Sequence, residues 1–185
     1  GVYFLSEGDR TEARRLLESA GFGTRRPLAL RLRFANSETL RRLALAMAAM
    51  WQPLGVRAEL VGADLKAHQQ AVQQGDFDVA RAAWYAEDRD PQSFLALLDS
   101  RGGALNISRF ADRDYDALLD RAAASVEPGA RAALLAEAER RAMALQPVAP
   151  LYVYVSRRLI APRVQGWVDN PRGVHLDRYL AVTPR

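Results

Sequence analysis

Leu28-Ala29-Leu30-Arg31-Leu32-Arg33-Phe34 alternates large apolar side chains with Ala or Arg, the period of two that a strand with one buried face requires. Immediately after it, Asn36 and Ser37 are candidate helix caps, and Leu40, Leu43, Met47 and Met50 recur at helical spacing until Pro53 forbids continuation. Val56, Ala58 and Leu60 then alternate with Arg57 and Glu59, which predicts a second strand.

Outward from this strand, helix and strand the alternation continues. On the N-terminal side, Asp9, Thr11 and Glu12 precede Ala13, Leu16, Leu17 and Ala20, an amphipathic helix stopped at Gly21. On the C-terminal side, a polar helix over Lys66 to Gln74 ends at Gly75. Phe77 to Trp84 is apolar apart from Asp78 and Arg81, as in a strand buried on both faces. Asp90 and Pro91 read as N-cap and first residue of a helix through Phe94, Leu95 and Leu98. Tyr115, Leu118, Leu119 and Ala122 follow Asp112 at helical spacing, and Pro128 opens a longer helix that closes at Leu145, before Pro147. These two helices are expected to form a hairpin. Leu151 to Val155 and Leu159 to Ile160 read as late strands, and Gly166 to Gly173 as loop. The expected class is α/β, a central mixed sheet flanked by helices on both sides, in one domain over 1–185.

Composition removes several function classes. The 185 residues are 49% apolar, enough for one core, and no apolar run reaches the roughly 18 to 20 residues of a membrane span. Direct membrane insertion is not expected. The first residue is Gly1 with no leader pattern after it, as in a processed chain or a fragment. Without cysteine there is neither a disulfide nor a thiolate metal site. The net charge of +4 comes from arginine pairs such as Arg14-Arg15, Arg41-Arg42 and Arg140-Arg141, set among acidic residues on separate segments. That is the pattern of solvated helix faces, so no nucleic-acid partner is expected.

Catalytic signatures are missing as well. His68 and His175 have no His or Cys at ligand spacing, which argues against a metal. Ser93, Ser108 and Ser156 lack a nucleophile elbow, no glycine-rich phosphate loop follows the early strands, and Gly102-Gly103 reads as a turn. Glu87, Asp88 and Asp90 form an acidic cluster in which Asp90 is explained as a cap. Neither a cofactor nor an enzyme is expected. Arg81 stands out differently, because a charge within an apolar strand needs a partner, such as the neighbouring Asp78.

The run from Phe77 to Pro91, FDVARAAWYAEDRDP, resembles the family-5 extracellular solute-binding proteins of dipeptide and oligopeptide ABC transporters. There a gDFD strand leads to Trp, two variable residues, an acidic residue and a D-P helix start. Further pieces follow in the family's order: the A-x-x-L-L-x-x-A-G helix ending at Gly21, the W-x-x-L-G-V turn at Trp51 to Val56, and the N-x-S-x-F…Y-D-x-L-L-x-x-A segment from Asn106 to Ala122. R-x-x-L-L-x-E-A-E at Arg131 to Glu139 and P-x-x-P-L-Y at Pro147 to Tyr152 complete the set.

The resemblance implies a periplasmic binding protein-like fold of type II, with 1–185 forming its C-terminal lobe and the N-terminal lobe absent from the sequence. It implies no bond chemistry: two lobes close on a solute, and the complex docks on the permease subunits of an ABC importer. The solute is a peptide or a peptide-like molecule, and the location is periplasmic or extracellular and membrane-anchored. It places Glu87, three residues after Trp84, on the peptide α-amino group, where the family usually has Asp; Asp88 stands next to it as a substitute. Trp84 becomes a flat wall, Arg81 a partner for a ligand carboxylate, and Asn106 a hydrogen-bonding residue near the cleft or a brace for its loop. The alternatives are a non-peptide solute such as a nickel chelate, sugar, haem or opine, the ligand-sensing domain of a transcription regulator, and a hydrolase using the acidic cluster.

Overall fold

The computed structural model describes residues 7–86, 88–155, 157–170 and 173–184. In chain order the helices are α1 (Glu7–Ser19), α2 (Glu38–Trp51), α3 (Leu65–Gln74), α4 (Gln92–Leu95), α5 (Arg113–Ala124) and α6 (Pro128–Leu145). The strands are β1 (Leu28–Ala35), β2 (Val56–Ala63), β3 (Val79–Ala80), β4 (Val164–Gln165) and β5 (Ala181–Val182). They fall into two compact units, one up to Pro150 and one from Leu151 onward.

In the first unit β1 lies between two parallel neighbours, in the order β2-β1-β3. Its register with β2 is complete, from Leu28 opposite Val56 to Ala35 opposite Ala63. Leu30, Leu32 and Phe34 occupy one face of β1, where they pack with Ala44, Leu40, Met47 and Trp51 of α2, Leu60 of β2 and Val79 of β3. The alternation in the sequence is thus the alternation of faces. Arg31 and Arg33 take the other face. Arg31 Nη1 reaches Asp76 Oδ1 at 2.7 Å and Arg33 Nη2 reaches Asp76 Oδ2 at 2.6 Å. The hydrogen bond from Arg31 is the first cause holding the Asp76 carboxyl below its ordinary range. α3 packs on β1 and β2. The result is a parallel α/β sheet flanked by helices.

Side-chain caps set where the helices begin. Ser37 Oγ accepts the Leu40 amide at 3.2 Å, Asp64 Oδ1 the Ala67 amide at 3.0 Å, and Asp112 Oδ1 the Tyr115 amide at 2.7 Å. Gly75 closes α3 with φ +76, and a Cβ there would run into the guanidinium of Arg109. That guanidinium donates to the Gln74 carbonyl at 2.8 Å, placing a cation at a helix C-terminus.

The expected helical hairpin is α5 and α6, closed around Tyr115, Leu118, Leu119, Ala122, Leu135, Ala138 and Ala142. Leu95 and Leu98, from α4 and the 3₁₀ turn after it, complete this cluster. Tyr115 is fully buried; its hydroxyl donates to the Leu95 carbonyl at 2.7 Å, and burial pushes its pKa well up.

Two strand expectations need correction. The strand expected over Phe77 to Trp84 pairs only at Val79 and Ala80, opposite Leu32 and Arg33. Asp76 and Asp78 before it are drawn to the arginines of β1, Asp78 Oδ2 accepting the Arg31 amide at 2.7 Å. The strands expected over Leu151 to Val155 and Leu159 to Ile160 are irregular and exposed. Alternation becomes a strand only where a neighbour supplies ladder partners, and these stretches have none among the described residues.

The second unit instead holds an antiparallel pair, β4 with β5, in which Val164 faces Val182. The Trp167 ring stacks on His175 with centroids 3.6 Å apart, and Arg158 lies 5.4 Å over the indole. The loop expected from Gly166 to Gly173 is a loop where described; 171–172 lie outside the described residues.

Replacing Tyr115 by Phe removes the donor to the Leu95 carbonyl without opening a large cavity. Urea denaturation of Tyr115→Phe should show a stability loss of about 1 kcal/mol, with the m-value unchanged.

Candidate functional site

Parallel strands end together. The C-terminal ends of β1, β2 and β3 therefore share one edge of the sheet, the edge at which open α/β sheets bind ligands. β3 is the last strand to reach it, and the chain leaves β3 through Arg81. The Arg81 amide donates to the Arg33 carbonyl at 2.8 Å. Its own carbonyl lies 3.1 Å from His68 Nε2 of α3. Arg81 itself is half-buried, and Asp78, the acid considered for it in the sequence, is engaged by Arg31.

Beyond Arg81 the chain runs exposed. Trp84 is 43% and Tyr85 73% accessible, so two aromatic rings stand at this edge rather than in the core. The motif marks Trp84 alone, although an aromatic pair at the exit of a strand is a signal readable in the sequence. Glu87 lies outside the described residues.

The segment is gathered again at Asp88. Asp88 Oδ1 accepts the Asp90 amide at 2.9 Å and the Ser93 hydroxyl at 2.6 Å, a turn closed by its own side chain. Asp90 Oδ1 accepts the Gln92 amide at 2.9 Å, as the cap reading predicts, while Pro91 begins the turn that becomes α4. Asp90 Oδ2 also meets Arg131 Nη1 of α6 at 2.7 Å, and Arg131 Nη2 donates to Gln92 Oε1 at 2.7 Å. The Gln92 amide first, then Arg131, holds the Asp90 carboxyl below the usual carboxylate range.

Asn106 is only 7% exposed, and its amide is fully used within its own loop. Nδ2 donates to the carbonyls of Asp99, at 3.1 Å, and Phe110, at 2.7 Å; Oδ1 accepts the Ser108 hydroxyl at 2.9 Å and the Phe110 amide at 3.2 Å. This tight turn puts Arg109 in the left-handed region, φ +54, from which it reaches the C-terminus of α3. Arg81, Trp84 and Asp88 lie along one segment, whereas the side chain of Asn106 bonds within its own loop.

Two open hollows mark the surface of this unit. One, of about 300 Å³, is lined by Pro91, Arg131, Leu135 and Glu139 among others; the second, of about 390 Å³, by Ala29, Arg31, Arg57, Glu59 and Asp78 among others. Trp84 lines neither.

The family model described as bacterial extracellular solute-binding proteins, family 5 Middle, matches residues 2–106. The chain belongs to this family. It is similar to the periplasmic murein peptide-binding protein MppA of Escherichia coli K12, 37% identical over 173 residues, which are 92% of this chain and 32% of that protein. With the periplasmic oligopeptide-binding protein OppA of Salmonella typhimurium it shares 34% identity over 160 residues, 86% of this chain and 29% of OppA.

Solved structures in the family give the same result. The Escherichia coli murein tripeptide-binding protein MppA superposes with a TM-score of 0.89 at 36% identity, over 97% of this chain and 35% of that one. Haemophilus influenzae OppA in complex with the peptide RPPGFSPFR gives 0.86 at 27% identity, over 95% and 35%. The chain spans about a third of the length of the curated relatives it matches. Among the described residues, no helix is long and apolar enough to cross a membrane.

The lowered pKa of Asp90 fixes a sign. Its stabilising effect is present above the unfolded carboxylate value, about pH 4, and is lost as pH falls through the lower folded value. Thermal denaturation from pH 7 to pH 2 should show Asp90→Asn less stable than wild type at neutral pH, with the gap narrowing in acid.

Proposed function

We propose that the chain, 1–185, supplies the C-terminal lobe of a two-lobed solute-binding protein that captures peptides outside the cytoplasmic membrane and delivers them to an ABC-type permease. The single observation that carries this reading is the exposed aromatic edge at Trp84 and Tyr85. It leaves the C-terminal end of a parallel sheet, in a chain two of whose relatives are named for murein peptides and oligopeptides. Large rings held out of the core keep their faces available to an apolar ligand surface, and a ligand between two lobes supplies the second wall.

In this reading Glu87 accepts the peptide α-amino group, Trp84 covers the first residues, Arg81 stands toward the ligand's carboxylate side, and Asp88 and Asn106 hold the segment and its supports in place. Asp88 is the weaker acceptor because one of its oxygens already closes the turn. The protein makes and breaks no bond. Closure follows from the ligand's higher affinity for the closed arrangement.

A non-peptide solute is the second reading. It is favoured by relatives named as a probable deoxycholate-binding protein, 30% identical, and a heme-binding protein, 28% identical.

Calorimetry on the full-length protein with trialanine and N-acetyl-trialanine separates the two. A charge-assisted hydrogen bond is worth about 1.5–3 kcal/mol, so Glu87→Gln should weaken trialanine roughly ten- to a hundredfold. Acetylation should have the same effect on the wild type. Affinity unchanged by both would remove the amino-group role of Glu87.

A further inference from the structure

His68 sits on the buried face of α3 with Ala71 and Val72, at the spacing of residues stacked on one helix face. Only 7% of it is exposed. Its Nε2 is 3.1 Å from the Arg81 carbonyl oxygen. A carbonyl only accepts, so Nε2 carries the proton, and in the neutral ring Nδ1 is then a bare lone pair. Nδ1 is buried and has no hydrogen-bond partner among the described residues. Burial, and then the charges of Arg33 and Arg81, push the imidazole pKa below its ordinary value against the opposing pull of the Arg81 carbonyl. A polar ring with one nitrogen unanswered is an expensive occupant of an apolar helix face. What it contributes in return is the hydrogen bond to Arg81.

That bond sits at a mechanically sensitive place. The Arg81 amide is held by β1 and the Arg81 carbonyl by α3, so the peptide groups on both sides of this residue are fixed. From Ala82 to Ala86 no ladder continues. Trp84 lies three residues beyond the clamp, about 10 Å of extended chain. A rotation of ~20° at Arg81 would therefore carry the indole about 3 Å, enough to take a wall away from its ligand.

We propose that His68 is a positioning residue of the ligand-contacting edge, its Nε2–H fixing the Arg81 peptide and thereby the direction in which Trp84 leaves the sheet. The effect on affinity rests on the solute-binding reading; the effect on the strand exit does not.

The test compares His68→Leu, which keeps bulk and loses the donor, with His68→Gln, whose amide nitrogen donates at the reach of Nε2. Val72→Ala on the same helix face serves as the control for general weakening. Ring ¹⁵N spectra of the wild type should show Nε2 protonated and Nδ1 bare. Hydrogen exchange of the Arg81 amide should rise about tenfold in His68→Leu, while the Asn36 amide, bonded to the Ala63 carbonyl at 2.6 Å, stays unchanged. Trialanine affinity should fall about fivefold, as expected for the loss of one net hydrogen bond. His68→Gln should restore both quantities to within about threefold, and Val72→Ala should move the two amides together.

An Nδ1-protonated ring, or Leu and Gln variants that behave alike, would overturn the proposal. If His68→Leu does not fold, His68→Asn, whose shorter amide stops at the Nδ1 level, gives the same contrast. Wild type that binds no trialanine while the Arg81 amide responds as stated counts against the peptide reading and supports the clamp. Unchanged exchange with trialanine binding intact refutes the clamp and leaves the solute reading standing.

Discussion

β1 is hydrogen-bonded on both sides by strands running in its own direction, and most of the first unit follows from that pairing. A parallel neighbour is reached only by carrying the chain back over the sheet, and here the return paths are α2 and α3. The apolar side of β1 is thereby roofed by α2. Its arginine side is neutralised by Asp76 and Asp78 on the approach to β3. All three strands then end at one edge, and the edge carries the candidate site.

The segment that carries the candidate site is fixed at two ends, and Ala82 to Tyr85 between them are exposed. At its start the Arg81 peptide is clamped between β1 and α3. At its end Asp88 closes a turn, Asp90 caps α4, and Arg131 ties that cap to α6. The α5–α6 hairpin, remote from the sheet in sequence, thus acts on the site by holding the far end of one loop. Asn106 belongs to the same support, since its turn sends Arg109 back to the C-terminus of α3. A recognition surface gains from such fixed ends, because less freedom is lost when a ligand arrives.

What was legible in the sequence was whatever a segment specifies locally. Ser37, Gly75 and the alternation from Leu28 to Phe34 each carry their own instruction, and the structure follows them. The Phe77 to Trp84 strand is shorter than its apolar pattern suggests, because its length depends on how far β1 accompanies it and on where Asp76 and Asp78 find their arginines. Leu151 to Val155 shows the same limit: alternation names a face, not a partner. Trp84 and Asn106 are motif positions and Asp88 is the neighbour of one, but whether each faces solvent, its own turn or its own loop depends on contacts distant in sequence. In the sequence His68 reads only as a metal ligand without companions. Its spacing with Ala71 and Val72 marked the buried face, while its partner, Arg81, lies thirteen positions away on another element.

In the proposed function the edge at Trp84 meets the amino end of a peptide. Incorporating fluorotryptophan labels Trp51, Trp84 and Trp167, the three indoles of the chain, and ¹⁹F NMR follows each one separately while trialanine is added. The Trp84 resonance should move, Trp51 and Trp167 should stay in place, and N-acetyl-trialanine should move Trp84 far less. A shift confined to Trp51 or Trp167, or equal responses of Trp84 to the free and the acetylated peptide, would contradict it.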